Sequence, residues 1–245
     1  MRVRFHLAEE LRIFTRAGED GPGRVEFAGR RSVKDLVESV GVPHCEIGRV
    51  EIDGIAVPLD HVLDSDAAGR FRVHVRVSAP TATELHAQPA RFALDGHLGR
   101  LTAYLRALGL DALHRGALGE ADFVERAAAE DRILLSRDVG LLKLTPVRHG
   151  AFVRATDPRE QLAEIVTRYG LADRASPFTR CMACNEVLVD APRDTVAESV
   201  PERVLARFTD FKRCPGCGRV FWRGTHHERL ARLVAEVLAA ARRRE

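Results

Sequence analysis

Four cysteines constrain this chain more than any other feature. They stand as two knuckles, Cys181-Met182-Ala183-Cys184 and Cys214-Pro215-Gly216-Cys217. A C-x-x-C pair lets two thiolates reach one ion from a single tight turn, and two such turns complete a tetrahedral Zn²⁺ shell. Pro215, Gly216 and Gly218 supply the turn geometry that the second knuckle needs. The gap, residues 185–213, is 29 residues long. That exceeds the commonest spacing, so an excursion is expected between the knuckles. A disulfide pair or a redox motif competes for the same thiols, and the paired spacing favours structural zinc. A bound metal fixes a fold and names no function.

A chain of 245 residues has room for one large domain or two to three small ones. Its 45% hydrophobic and 30% charged residues place it with soluble globular proteins rather than disordered ones. The first residues, Met1 to His6, alternate charged and apolar side chains and contain no apolar signal core. The longest apolar candidate, Leu230 to Ala241, is interrupted by Arg232 and Glu236, so no membrane span is expected. Four clustered thiols and a lone Cys45 suit a reducing compartment, with cytoplasm as the expected location. The net charge of +3 carries little weight, because Lys34, Lys143 and Lys212 are the only lysines and the basic set is almost all arginine.

Residues 1–77 read as a small α+β unit. Arg2 to Leu7 alternates as a half-buried strand does, with Val3 and Phe5 on one face. A turn at Gly18 to Gly23 precedes a second strand, Arg24 to Ala28. Ser32 is placed to cap a helix, with Asp35 three residues on and Val33, Leu36, Val37 and Val40 at helical spacing before Gly41. Strands Gly48 to Ile52 and Phe71 to Val77 follow. This β-β-α-β-β order is that of a β-grasp module. Its close, Asp64-Ser65-Asp66 and Gly69-Arg70-Phe71, resembles the ubiquitin-like sulfur carriers. Those carriers end in a free Gly-Gly, whereas this strand continues into Val77-Ser78-Ala79-Pro80, so carrier chemistry is not expected. Residues 78–90 read as a linker.

From 91 the rhythm becomes α/β. Arg91 to Leu94 is a short apolar strand, and Leu98, Leu101, Leu105 and Leu108 line a helix closed by Gly109. After a loop with Gly116 and Gly119 comes a helix, Ala121 to Glu130, then a strand, Arg132 to Ser136, and another, Gly150 to Arg154. Alternating strands and helices predict a parallel sheet covered on both faces. A helix over Gln161 to Tyr169 leads to the cysteine segment. That segment has expected strands at Glu186 to Val189 and Arg219 to Trp222 and a helical stretch at Pro201 to Phe208. Thr225, with Glu228 at the third helical position, is expected to cap the last helix.

Asp95 and Asp138 each follow the C-terminal end of an apolar strand, where sites form in parallel α/β sheets. Carboxylates meeting there need a cation between them. Mg²⁺ or Mn²⁺ answers that need and supports phosphodiester hydrolysis. Asp122, Glu120 and Asp157 are candidates to complete the cluster. Helix capping competes as the role of Asp95, Asp138 and Asp157, and a first-turn dipole contact as that of Asp122.

These residues also carry a resemblance. Phe92-x-x-Asp95-x-x-Leu98-Gly99-x-Leu101, followed by Tyr104-Leu105-Arg106-x-Leu108-Gly109, resembles the opening of the Mut7-C family of PIN-like ribonuclease domains. Ile133 to Asp138 resembles the family's later acidic strand, and the cysteine segment, from Phe178 to Asn185 and from Arg213 to His226, its zinc ribbon. A preceding ubiquitin-like domain is common in the family.

The resemblance implies a metal-dependent ribonuclease of three parts: ubiquitin-like domain 1–77, PIN-like domain 91–174, and zinc ribbon with terminal helix 175–245. It implies an acidic site at Asp95 and Asp138, with Asp122, Glu120 and Asp157 as helpers and Mg²⁺ or Mn²⁺ as the catalytic ion. The family's Asp-rich run is thinned here to Glu120 and Asp122, which leaves a non-catalytic RNA- or ribosome-binding adaptor as the alternative. The implied partner is RNA, with tRNA and rRNA as candidates, and the ubiquitin-like domain is a candidate site for a protein partner. Arg213, Arg219, Trp222, Arg223 and His226 are candidate RNA contacts on the ribbon. The competing roles are core packing for Trp222, packing or helix capping for His226, and a solvated face for the arginines.

Overall fold

The computed structural model of the protein describes residues 1–15, 24–65 and 72–243. The expected Gly18 to Gly23 turn, and Asp66 and Gly69 to Phe71 of the acidic close, lie outside the described residues. The first elements along the chain are β1 (Arg2–Leu7), β2 (Arg24–Glu26), β3 (Arg30–Ser32), α1 (Val33–Ser39), β4 (Arg49–Ile52), β5 (Ile55–Val57), β6 (Val62–Asp64) and β7 (Arg72–Ser78). Then come α2 (Ala82–His86), β8 (Arg91–Leu94), α3 (Gly99–Ala107), β9 (Asp111–His114), α4 (Glu120–Ala129), β10 (Ile133–Ser136), α5 (Val139–Leu142), β11 (Gly150–Phe152) and α6 (Pro158–Arg168). The last are β12 (Val189–Ala191), α7 (Arg193–Val196), α8 (Glu202–Leu205), β13 (Phe211–Arg213), β14 (Val220–Trp222) and α9 (Thr225–Arg242). The architecture is mixed α+β and α/β. By their contacts the residues form two compact units that interleave along the chain: Met1–Gln88 with Ala121–Phe152, and Pro89–Glu120 with Val153–Glu245.

The first unit begins with a five-stranded β-grasp sheet in the order β2-β1-β7-β4-β5. β1 and β7 run parallel at its centre, with Val3 opposite Val73 and Phe5 opposite Val75. The alternating strands turn these apolar residues onto one face, where α1 covers them with Val33, Leu36 and Val37. Each such burial stabilises by roughly 1.5–3 kcal/mol. Ser32 Oγ accepts from the Asp35 N–H at 3.0 Å, as the sequence predicts, a cap that contributes about 1 kcal/mol. β3 and β6 add a short antiparallel ladder, whose three-residue strands are too brief for alternation to reveal. Within 78–90 the chain forms α2, closed by a capping box between Thr81 and Glu84, where a linker is expected.

Residues 121–152 of this unit contribute α4, α5 and a parallel pair, β10 with β11, in the register Leu134 to Gly150 and Ser136 to Phe152. The β-grasp module is clasped to them by its His44–Glu46 turn. Glu46, 1% exposed, accepts the Phe152 N–H at 2.6 Å. His44 bridges Val147 O (2.6 Å) and Glu38 Oε1 (2.7 Å). Lys143 Nζ donates to Glu38 O at 2.7 Å, and burial holds that ammonium below the usual lysine range against the pull of Glu38. Gly150 has no room for a side chain: a Cβ would lie 2.9 Å from Cys45 Sγ.

In the second unit β8 and β9 pair in parallel, from Arg91 with Asp111 to Leu94 with His114. β9 falls where the sequence predicts a loop, because its half-buried Asp-Ala-Leu-His has too little apolar character to announce a strand. The predicted leucine stripe of α3 is buried, and Phe92 meets Tyr169 edge-on at 5.8 Å. Gly109 takes φ 80° where a Cβ would collide with Ser176 O, so only glycine fits there. β12, β13 and β14 form an antiparallel sheet, and the excursion helices α7 and α8 close over Val196, Val200 and Phe211. α9 packs on α6. Its N-cap is Gly224, not Thr225. Thr225 is already the first helical residue, and no side chain makes a cap bond.

Candidate metal centre and acidic positions

The four Sγ atoms lie within 4.8 Å of one another. Cys181 and Cys217 are 3.6 Å apart, Cys184 and Cys214 3.2 Å, and all are free thiols. Zn–S bonds of about 2.3 Å put tetrahedral sulfurs about 3.8 Å apart, so this cluster can hold a metal such as zinc. Its two halves share one backbone plan. Asn185 N donates to Cys181 O and Gly218 N to Cys214 O, each at 2.9 Å. Cys181 N then reaches Glu186 O and Cys214 N reaches Arg219 O, at 2.8 and 2.9 Å. Both turns require the residue after the second cysteine to be left-handed: φ is 76° at Asn185 and 73° at Gly218.

Burial raises the Cys181 thiol. At Cys184 the Glu186 N–H favours the thiolate, but burial and the other three sulfurs prevail and push it up to about 12. At Cys214 burial opposes ionisation, yet the N–H groups of Cys217 and Gly216 and the neighbouring thiols draw it down to about 7. Cys214 is therefore easier to ionise than Cys181 or Cys184, and a bound cation is what favours the thiolate at those two.

The first knuckle is bolted to the α/β core. Buried Arg106 donates to Met182 O (3.0 Å), Ala183 O (2.8 Å) and, through Nε, Ala112 O (2.8 Å). Burial lowers its pKa, while Cys181, Cys184 and Asp111 oppose that shift. Asn185 accepts from the Ala112 N–H and donates to Asp111 Oδ1 at 2.7 Å. Arg106 and Asn185 both lie in the family motifs, but nothing in their spacing signals that they hold this joint.

The expected acidic residues fall in both units. In the second, Asp95 follows β8, is 5% exposed, and accepts from the Gly96 N–H at 2.6 Å. Arg115 Nη1 lies 3.4 Å from Asp95 Oδ1 and 3.7 Å from Glu120 Oε2, so one guanidinium joins these two carboxylates. Asp157 is exposed and caps α6, accepting from Arg159 and Glu160 N–H groups. In the first unit, exposed Asp138 follows β10 and caps α5 through the N–H groups of Gly140 and Leu141. Asp122 sits exposed in the first turn of α4.

On the ribbon an open groove of about 1390 Å³ is lined by Trp222, Arg223 and His226 of the expected RNA contacts. Arg213 and Arg219 are not among its lining residues, and Arg213 reaches Thr195 O instead. Residues that sequence reasoning does not find complete the walls: Phe178, Arg180, Arg203, Arg207, Phe208 and His227. They are scattered from 178 to 227 and show no common spacing. Trp222 is half-buried beside the excursion's apolar cluster. His226 is exposed and makes no cap bond; its neighbour His227 lies tilted against Phe178 at 4.2 Å.

A β-grasp module, a parallel α/β sheet with aspartates at strand ends, and a four-thiol ribbon make up a multidomain protein. The Mut7-C ubiquitin domain matches residues 1–76 and the Mut7-C RNAse domain residues 90–234, which is 145 of the 245 residues, and the chain belongs to the Mut7-C family. That membership supports a ribonuclease-like enzyme with RNA as partner. No curated protein and no solved structure matches the chain. No helix among the described residues is long and apolar enough to cross a membrane.

Proposed function

We propose that the protein hydrolyses RNA phosphodiester bonds with Mg²⁺ or Mn²⁺ at Asp95 and Asp138, helped by Glu120, Asp122 and Asp157. The observation that carries this reading is Asp95: a carboxylate nearly out of solvent, at the C-terminal end of a parallel strand, oriented by a backbone N–H. Carboxylates are hard oxygen donors, and this set suits either ion. When bound, such an ion acidifies its water and neutralises charge on the phosphate oxygens. The chain's part is to hold the carboxylates ready. Gly96 N–H fixes Asp95, and the N–H groups of Gly140 and Leu141 fix Asp138. Arg115, beside Asp95 and Glu120, would be at hand to pair with a phosphate oxygen.

The thiol cluster serves as a structural zinc site. Four thiolates close its shell and leave no open catalytic position. The groove beside it adds grip on RNA, with Trp222 stacking a base and Arg223 and His226 flanking it. Asp95→Asn and Asp138→Asn are expected to abolish Mn²⁺- or Mg²⁺-dependent cleavage of RNA while the thermal unfolding curve stays close to that of the parent. Undiminished cleavage by both variants overturns the assignment.

The adaptor reading draws on a specific observation. Arg115 already supplies a cation to Asp95 and Glu120, the role a divalent ion would have. Titration separates the readings: an adaptor takes up zinc only, whereas the nuclease shows a second, chelator-sensitive Mn²⁺ site.

A further inference from the structure

The outer face of the β-grasp sheet has a charge pattern that folding does not call for. β1 reads Arg-Val-Arg-Phe-His, and β7 continues Val-His-Val-Arg-Val after Arg72. Alternation sends Val3, Phe5, Val73, Val75 and Val77 inward and leaves Arg2, Arg4, His6, His74 and Arg76 exposed. The register then sets basic side chains opposite one another, two of them arginines. Arg4 lies between Arg24 on β2 and His74 on β7, and His6 lies opposite Arg76. Like charges directly across a ladder destabilise it, whereas opposite charges contribute roughly 0.2–1 kcal/mol. The same sheet shows the favourable arrangement at its rim, where Arg2 pairs with Glu26 and where Glu51 lies 3.1 Å from Arg49 and 3.9 Å from Arg76. Among the described residues, no carboxylate comes within ion-pair distance of Arg4 or Arg24. His6 Nε2 and His74 Nδ1 meet at 3.0 Å with their rings stacked, and the one carboxylate at hand there, Asp53 in the turn after β4, accepts the His74 backbone N–H at 3.1 Å. Across β1, β2, β4 and β7, Arg2, Arg4, Arg24, Arg49 and Arg76 with two histidines stand against two glutamates, and Asp53 in the turn after β4 adds a third carboxylate.

We propose that this face binds the phosphodiester backbone of RNA. Only the choice of RNA as the polyanion rests on the ribonuclease reading; the demand for a polyanion comes from the face itself. Outward side chains repeat about every 6.6 Å along a strand, giving a regular positive array suited to a regularly charged backbone. Apart from the imidazoles of His6 and His74, the described residues of β1, β2 and β7 present no aromatic or aliphatic side chain outward, so the face lacks the large apolar anchors on which protein interfaces depend. Contacts here position RNA without reading its sequence.

The test uses the full chain carrying Asp95→Asn, so that RNA survives the measurement, and a labelled single-stranded RNA titrated at several salt concentrations. Adding R4Q, R24Q and R76Q together is expected to weaken binding at least about tenfold at low salt. It should also flatten the slope of log K against log[salt] by about 2, from three contacts at about 0.7 each. R4K, R24K and R76K together should retain the parent slope. The melting temperature of the glutamine variant should hold or rise, because repulsion has been removed, and this separates lost binding from lost fold. Unchanged affinity and slope in the glutamine variant overturn the proposal. So does polyglutamate binding as tightly as RNA and depending on the same arginines, which would assign the face to an acidic protein. A chain with Asp95 intact that shows the expected slope but never cleaves RNA would defeat the catalytic reading and leave this one standing.

Discussion

The two cysteine knuckles share a backbone and differ in what they are fastened to. Each turns through a left-handed residue after its second cysteine, with the same pair of hydrogen bonds. At the second knuckle that residue is Gly218, around which a Cβ would meet nothing within 4 Å. At the first it is Asn185, the residue type that best tolerates left-handed backbone after glycine, and its amide ties the turn to Asp111 and Ala112. Arg106 completes the joint from beneath, on carbonyls of the turn itself. The lesson is that a metal turn fixes only backbone. The side chain permitted at its strained position decides whether the turn is a free surface or a bolt.

The comparison can be broken in order of expected effect. Replacing Cys181 or Cys214 by serine should release zinc and unfold the ribbon equally from either side, since apparent binding energies of structural zinc reach about 10–16 kcal/mol. Zinc content and circular dichroism check this, and a difference between the two variants would mean that the halves do not share one ion. Arg106→Ala acts on the first knuckle alone. It strands the buried Ala112 carbonyl, at about 1–3 kcal/mol, and frees the part-buried Met182 and Ala183 carbonyls, for a loss of about 3 kcal/mol in a denaturant titration. Asn185→Gly keeps the turn and removes the tie, at about 1–3 kcal/mol, whereas Gly218→Asn should change stability by less than about 0.5 kcal/mol. Equal losses in those two would dissolve the distinction.

The smallest effect concerns His227. Burial against Phe178, with Arg223 nearby, lowers its pKa below the ordinary 6.5. The unfolded chain then binds the proton more readily, so this contribution is complete above pH 6.5 and is lost as pH falls below it. Melting temperatures measured from pH 7.5 to 5.5 should fall slightly more for the parent than for His227→Phe.

Periodicity alone makes most of the scaffold legible. β1, β8 and the leucine stripe of α3 need only alternation or helical spacing, and two C-x-x-C turns name the metal cluster. β9 stays hidden because its partners, not its residues, make it a strand. Thr225 misleads because a serine or threonine near the start of a helix suits a first helical position as well as a cap. Among the acidic residues, the strand ends of Asp95 and Asp138 are readable. Arg115 is not, since nothing in Arg-Gly-Ala-Leu-Gly-Glu says that its guanidinium turns back across the loop to Asp95 and Glu120. Long polar side chains reach partners that spacing does not encode.

The Glu46 clasp bears on how the chain can be cut. β11 is an end strand of its sheet, and its Phe152 N–H points at a buried carboxylate borne more than a hundred residues earlier. A recombinant fragment beginning after residue 77 would bare that strand edge, and bare edges recruit other strands. Such a fragment is expected to aggregate on concentration unless its edge is blocked, for instance by Phe152→Pro. The separate N-terminal fragment bares Glu46, His44 and Glu38, which water can satisfy, and the ring of Phe14, and should be the more soluble of the two.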